Sequence, residues 1–230
     1  MKYEIIGESM PSVICHLEQG ETLFSESGSM SWMSPNILME TTSNGGIGKM
    51  FGRMFSGESL FLNRYHPENG AGIIAFSSRF PGEIRTFEVD ANHSYILQKS
   101  AFLAAESGVD ISASVNKKFS VGLVGGEGFI MQRASGQGIV FAEFDGHVVE
   151  YDLQPGQQIV VGTGYLAAME DTCNIEIRSV KGVKNVLFGG EGFFNTVITG
   201  PGKVWLQTMP IAKIASAIIP YLPTPPSSND

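Results

Sequence analysis

Three glutamates are the first residues here whose types and spacing could do chemistry. Glu58, Glu127 and Glu191 each sit in a glycine-rich motif: Gly57-Glu58-Ser59-Leu60-Phe61, Gly125-Gly126-Glu127-Gly128-Phe129 and Gly189-Gly190-Glu191-Gly192-Phe193. Two carboxylates held together can divide the roles of general acid and general base. A catalytic pair has to occur only once, however, and these glutamates recur with a repeat. Recurrence fits a fold device better, a carboxylate accepting backbone N–H bonds beside a glycine turn. Copies brought near one axis would also repel and raise each other's pKa.

The other candidates are weaker. The histidines are His16, His66, His93 and His147, and no two have a His-x-His or His-x-x-x-His spacing. Cys15 and His16 are neighbours on an expected strand, so their side chains point to opposite faces and cannot share a metal. No metal site and no cofactor are expected. Gly45-Gly46-Ile47-Gly48-Lys49 resembles a phosphate loop, but Met50 stands where Ser or Thr would ligate magnesium. No Gly-x-Ser-x-Gly elbow is present. No catalytic residue is assigned.

One segment is better suited to contact than to catalysis. In residues 45–57, Met50, Phe51, Met54 and Phe55 interleave with Lys49 and Arg53. As a short helix it would be apolar with two cations, which suits a membrane surface or a partner. It could equally cover the protein's own core or seal an interface between subunits. These six residues are the candidate interaction site.

Composition narrows the classes. Of 230 residues, 43% are hydrophobic and 17% charged, which fits an ordered globular chain. The 28 glycines among short apolar runs point to turns between strands. A net charge of −8 with no run of Lys or Arg disfavours nucleic acid. No apolar stretch reaches the roughly 18 residues of a spanning helix, and no signal-peptide core is seen near the N-terminus. Two cysteines are too few for a disulfide framework, so buried thiols in a reducing, cytoplasmic setting are expected.

The glycine motifs belong to a repeat. Residues 125–141 and 189–205 align without a gap at an offset of 64. A looser copy covers 57–76. A second half-unit recurs at 148–169, at 95–105 (aligned at an offset of 63) and at 12–33 (offset 136, setting Gly20 on Gly156 and Met33 on Met169). The order is thus second half, full unit, full unit, first half. That order predicts a closed ring in which residues 12–40 pack with 186–208 to complete the third unit.

Local signals are β. Asp145-Gly146 between alternating segments predicts a two-residue hairpin, with Phe144 facing His147, Ala142 facing Val149 and Val140 facing Tyr151. Met30, Trp32 and Met33 alternate with serines as on a half-buried strand. Ile211, Ile214, Ala215, Ile218 and Ile219 keep helical spacing until Pro220 stops it.

GESLF (57–61), the two GGEGF motifs, Leu103-Ala104-Ala105 and the closing LQT (206–208) resemble a bacterial and mitochondrial family. It is the family related to the yeast altered-inheritance-of-mitochondria biogenesis protein. The resemblance covers about residues 1–222. It implies units similar to the tryptophan RNA-binding attenuator fold, a short β-sandwich. It also implies no enzyme activity, and for the mitochondrial members a tie to inner-membrane organisation.

The expected architecture is all-β: three tandem β-sandwich-like repeats in a pseudo-three-fold ring, with one short C-terminal helix. One domain spans 1–209, its pseudo-repeats being 12–40 completing 186–208, 57–115 and 121–180. The helix is 210–222, and 223–230 is a disordered tail. The expected function is a non-enzymatic scaffold or interaction protein, homo-oligomeric, with a membrane surface or a protein as candidate partner. The alternative is a small-molecule or RNA binding module. From the charge alone, purified protein should show no affinity for generic RNA at physiological salt. Micromolar binding with a steep salt slope in a filter or anisotropy assay would overturn that.

Overall fold

The computed structural model describes residues 1–42, 62–113, 130–179 and 194–223. Its strands are β1 (Lys2–Ile6), β2 (Ser12–Leu17), β3 (Leu23–Glu26), β4 (Met30–Met33), β5 (Ile37–Thr42), β6 (Leu62–Pro67), β7 (Gly72–Ser77), β8 (Gly82–Val89), β9 (Tyr95–Gln98) and β10 (Phe102–Glu106). They continue as β11 (Val109–Ala113), β12 (Met131–Gly136), β13 (Gly138–Asp145), β14 (Val148–Leu153), β15 (Gln158–Gly162), β16 (Leu166–Glu170), β17 (Asn174–Ser179), β18 (Phe194–Thr199) and β19 (Gly202–Gln207). A single α-helix among the described residues, α1 (Ile211–Ile218), follows and runs into a 3-10 turn at Ile219–Tyr221. The chain is all-β with a short C-terminal helix, as expected.

Strand pairing shows how the chain is divided. After β1, the strands fall into consecutive sets of six: β2–β7, β8–β13 and β14–β19. In each set the sixth strand lies between the first and the third, giving β2-β7-β4, β8-β13-β10 and β14-β19-β16. The fifth lies between the fourth and the second, giving β5-β6-β3, β11-β12-β9 and β17-β18-β15. All these ladders are antiparallel. Even the irregularity recurs. A register shift falls between Met30 and Trp32, between Phe102 and Ala104, and between Leu166 and Ala168. Phe102 therefore corresponds to Leu166, at an offset of 64. The offset of 63 read from the sequence is one residue out, because the shared bulge fixes the match.

Consecutive sets are welded by one further ladder. β3 pairs with β10, and β9 pairs with β16, so each set shares a sheet with the next. The core follows these junctions. Val13, Cys15, Leu17, Tyr65 and Phe76 of the first set pack with Leu103, Ala104 and Phe141 of the second. Phe87, Phe102, Val140 and Phe144 pack with Ala168 and Trp205 of the third. The ring of Phe87 meets that of Trp205 edge-on at 5.0 Å. Tyr3 on β1 lies edge-on to Phe141 at 5.1 Å.

Two sequence expectations fail here. No ladder joins residues 12–40 to 194–207. β2 to β5 pair within the first set, with β1 and with β10, while β18 and β19 pair only within the third set. No core cluster contains buried residues of both the first and the third sets. The units are therefore cut at 12–77, 82–145 and 148–207, in plain tandem. No half is missing, so nothing has to be completed across the termini. The Asp145-Gly146 hairpin also fails. β13 is already bonded on both edges, to β8 and β10, and has no edge left for β14, which pairs with β19 instead. Gly146, at φ +76, makes a corner that carries the chain from one sheet to the next. A Cβ there would lie 2.6 Å from Thr208 Oγ1.

Phe141 has no exposed surface and sits at the first junction. Phe141→Ala should cost about 3–5 kcal/mol in urea unfolding, the range for a large aromatic removed from a core. Phe80→Ala, at a 38% exposed site, should cost under about 0.5 kcal/mol.

Candidate functional site

The candidate interaction residues Lys49, Met50, Phe51, Arg53, Met54 and Phe55 lie outside the described residues. So do Glu58, Glu127 and Glu191. What the described residues do show is how other carboxylates are used.

Glu106 Oε2 accepts the N–H of Ile139 at 2.9 Å, and Glu170 Oε2 accepts that of Lys203 at 3.0 Å. These are equivalent positions in the second and third sets. In the first set Ser34 Oγ does the same for Ile73 at 3.0 Å. Each side chain satisfies one backbone donor where the third strand ends beside the sixth. At Glu106 and Glu170 the carboxylate serves the fold. Gly138 and Gly202 stand at the same junction, and a Cβ on either would come within 3.0 Å of the glutamate oxygen.

Glu143 is 7% exposed and is held by Arg79. Its Oε2 also accepts the N–H of Arg79 at 2.8 Å and the hydroxyl of Ser78 at 3.3 Å. The carboxylate thus folds the 78–80 turn onto β13, while Arg79 Nη2 donates to Ser100 O at 2.9 Å. Nearby Glu26 has its carboxyl pushed up by burial, against the pull of Arg79 and Lys99.

The histidines do not converge. His93 pairs with Asp90 at 2.9 Å, His147 with Glu83 at 2.5 Å, and His16 lies 3.8 Å from Glu4. The buried Nδ1 of His66 has no hydrogen-bond partner among the described residues. No cluster of three or more metal-ligating side chains occurs among the described residues. Cys15 and Cys173 are free and buried. Burial pushes the Cys15 thiol up to about 12 and the Cys173 thiol up to about 11, so neither is a ready nucleophile.

The concavities are shallow. One of about 320 Å³ is lined by Val149, Tyr151, Val161, Tyr165 and Leu206. Another of about 150 Å³ is lined by Asn92, His93, Ser94, Glu170 and Asp171. In the second, Ser94 Oγ donates to Asp171 Oδ2 at 3.3 Å, but Arg133 Nε holds the same carboxylate oxygen at 2.8 Å and Arg133 Nη2 donates to Ser94 Oγ at 3.0 Å, so the three side chains satisfy one another.

The C-terminal helix is a different kind of feature. The carboxylate of Asp145 accepts the N–H of Ile211 at 2.8 Å, and this fixes the first turn of α1 at the corner between the second and third sets. Beyond that turn no residue of α1 is buried. Ile218 is 50% exposed, Ile219 63%, Tyr221 87% and Leu222 58%. Helical periodicity predicted the helix correctly. It could not tell that most of the apolar side, from Ile218 to Leu222, stays exposed.

The fold and these sites define an all-β protein of welded six-stranded units whose described polar groups mostly serve their own backbone. The chain belongs to the Mitochondrial biogenesis AIM24 family, whose model matches residues 3–209. It is 29% identical over 228 residues to an uncharacterised protein of Streptococcus pyogenes serotype M6, covering 95% of this chain and 89% of that one. A crystal structure of another Streptococcus pyogenes protein, from a structural genomics programme, superposes with a TM-score of 0.77 at 22% identity. That match covers 96% of this chain and 99% of the other, and it shows the shared fold.

Glu83 gives a pH test of the corner at 145–148. Partial burial works against its ionisation. The bond from the Val148 N–H, the Arg85 guanidinium and His147 together outweigh that and hold its carboxyl below the usual range. A depressed carboxyl stabilises the fold above its unfolded pKa and loses that contribution as pH falls through the folded value. Glu83→Gln should therefore lower the thermal midpoint at pH 7, and its gap to the unmodified protein should narrow toward pH 3. A gap of constant size across that range would show that the charge of Glu83 contributes nothing.

Proposed function

We propose that this chain is a non-enzymatic interaction protein that attaches to a lipid surface through its C-terminal helix. The observation that supports the reading is the exposure of Ile218, Ile219, Tyr221 and Leu222 beyond a helix anchored only at its start. From Ile211 to Leu222 the sequence holds one charge, Lys213, and no acid. A short apolar helix with a cation near its first turn can lie in the headgroup region of a bilayer. Each large side chain fully removed from water contributes about 1.5–3 kcal/mol. No helix among the described residues is long and apolar enough to cross a membrane, so the contact proposed is peripheral.

The rest of the molecule is consistent with a scaffold. Glu83, Glu106, Glu143 and Glu170 each accept a backbone N–H. Carboxylates used in that way are poorly placed for proton transfer to a substrate. Lys49, Met50, Phe51, Arg53, Met54 and Phe55 add a second apolar segment by composition.

The test is flotation with phosphatidylcholine vesicles, with and without an anionic lipid. The full chain should float with the vesicles, and a chain ending at Met209 should stay at the bottom at least tenfold more. Equal recovery of the two chains, or no flotation of either, would overturn the proposal.

A further inference from the structure

The welding of units leaves one junction unmade. The second strand of a set pairs with the third strand of the next: β3 with β10, β9 with β16. By the same rule β15, the second strand of the last set, needs a third strand of a following set. By the same rule β4, the third strand of the first set, needs a second strand of a preceding one. Among the described residues neither has it. β15 ends the sheet β15-β18-β17, and β4 ends the sheet β1-β2-β7-β4.

Other strands also end sheets, but their counterparts in the other sets end sheets too, or, like β2 beside β1, are covered. β4 and β15 alone among the described strands are open on an edge that both of their counterparts have paired. Burial shows the difference. Val160 of β15 is 60% exposed, whereas its counterparts Phe24 and Ile96 are 8% and 3% exposed. Trp32 of β4 is 43% exposed, whereas Ala104 and Ala168 have no exposed surface.

We propose that β15 of one copy pairs with β4 of a second copy, so that the chain assembles head to tail through the junction it already uses twice internally. The register follows from the two internal ladders. Ala104 opposes Ser25, Ala105 opposes Phe24 and Glu106 opposes Leu23. Ala168 opposes Leu97, Met169 opposes Ile96 and Glu170 opposes Tyr95. Transferred by position, Trp32 opposes Val161, Met33 opposes Val160 and Ser34 opposes Ile159, antiparallel. Joining the edges gives the strand order β17-β18-β15-β4-β7-β2-β1, which is the order of the two internal six-stranded sheets with β1 added.

The side chains suit the junction. At the bulge the large and small residues are exchanged between strands. Trp32 lies opposite Ala75, where the other sets place Ala104 opposite Phe141 and Ala168 opposite Trp205. Each cross-strand pair holds one aromatic ring and one alanine. Neither β4 nor β15 carries a charge, and an open, uncharged, partly apolar edge is a template for another strand. The two surfaces differ, so the contact is heterologous, and growth stops where the copies close into a ring.

The experiment uses the full chain with Val160→Lys and, separately, Trp32→Lys. Each puts an ammonium where the joined counterparts are buried. Native mass spectrometry and sedimentation should show the unmodified protein as a closed oligomer. Each variant alone should be a monomer with an unchanged circular dichroism spectrum. Their equimolar mixture should give a dimer of one of each and nothing larger, since one sound β4 and one sound β15 remain. A monomeric unmodified protein overturns the proposal. So does a variant that keeps the full oligomer, or a mixture of folded variants that stays monomeric. A chain carrying both Met33→Cys and Val160→Cys needs no blocked edge and reads the register directly. On mild oxidation it should form disulfides between chains, because directly opposed residues have Cβ atoms about 4.5–5.5 Å apart. Disulfides within single chains would mean the arc closes on itself, and no disulfide would mean the register is wrong. Either result ends the proposal.

Discussion

A strand buried on both faces must be hydrogen-bonded along both edges, because a buried backbone donor without a partner costs free energy that packing cannot return. β10 and β16 are such strands. From Phe102 to Ala105 and from Leu166 to Met169 every residue is at most 2% exposed. Each is paired on one side to the sixth strand of its own set and on the other to the second strand of the set before it. Everything else in the architecture depends on this double pairing. Because the third strand must be shared, no set is a separate domain, and the cores form at the junctions between sets. The small residues follow as well: Ala104, Ala105, Ala167 and Ala168 let strands and rings from two units close over one another.

The polar side chains follow the same constraint at the strand ends. Where the ladder stops, a side chain takes over from the missing carbonyl. Ser34, Glu106 and Glu170 do so at equivalent positions. Glu83 caps Val148, and Gln207 Oε1 accepts the N–H of Asp145 at 3.0 Å. Serine in the first unit and glutamate in the others reach the same donor. What the position requires is an oxygen acceptor, and the charge is secondary.

This explains which parts of the fold could be read from the sequence. The period was legible because glycines and acceptors recur at fixed backbone positions. Gly20 and Gly156, aligned from sequence at an offset of 136, both have positive φ, +94 and +78. The phase was not legible. A tandem repeat and its circular permutation have the same period, so the chain's first motif reads as a fragment although it opens a complete unit. The Asp145-Gly146 turn was visible too, but a turn residue reports only that the backbone reverses. Whether the flanking strands pair depends on edges occupied by β8 and β10, which are distant in sequence. The helix from Ile211 was legible from its spacing, while its exposure depends on what is absent beside it. The candidate interaction residues from Lys49 to Phe55 lie outside the described residues, so the structure neither places nor displaces them.

The unequal ends of the arc follow from the same physics. Internal repeats can all be alike only if each has a neighbour on both sides. Among the described residues, the first of the three units has no predecessor and the third no successor. The first edge strand, β2, is covered by β1, whose own side chains are all exposed and which has no counterpart in the other units. That addition protects one side of the first sheet and leaves β4 open on the other. A chain under pressure only to hide its edges would also have covered β4, or placed a lysine or proline there. Instead β4 keeps Trp32 and two methionines, and β15 keeps Ile159, Val160 and Val161. Side chains of that kind gain by leaving water, and the strand they sit on still has unpaired backbone groups among the described residues. Both ends of the arc thus carry uncharged, partly apolar strands of the kind that can join one unit to the next.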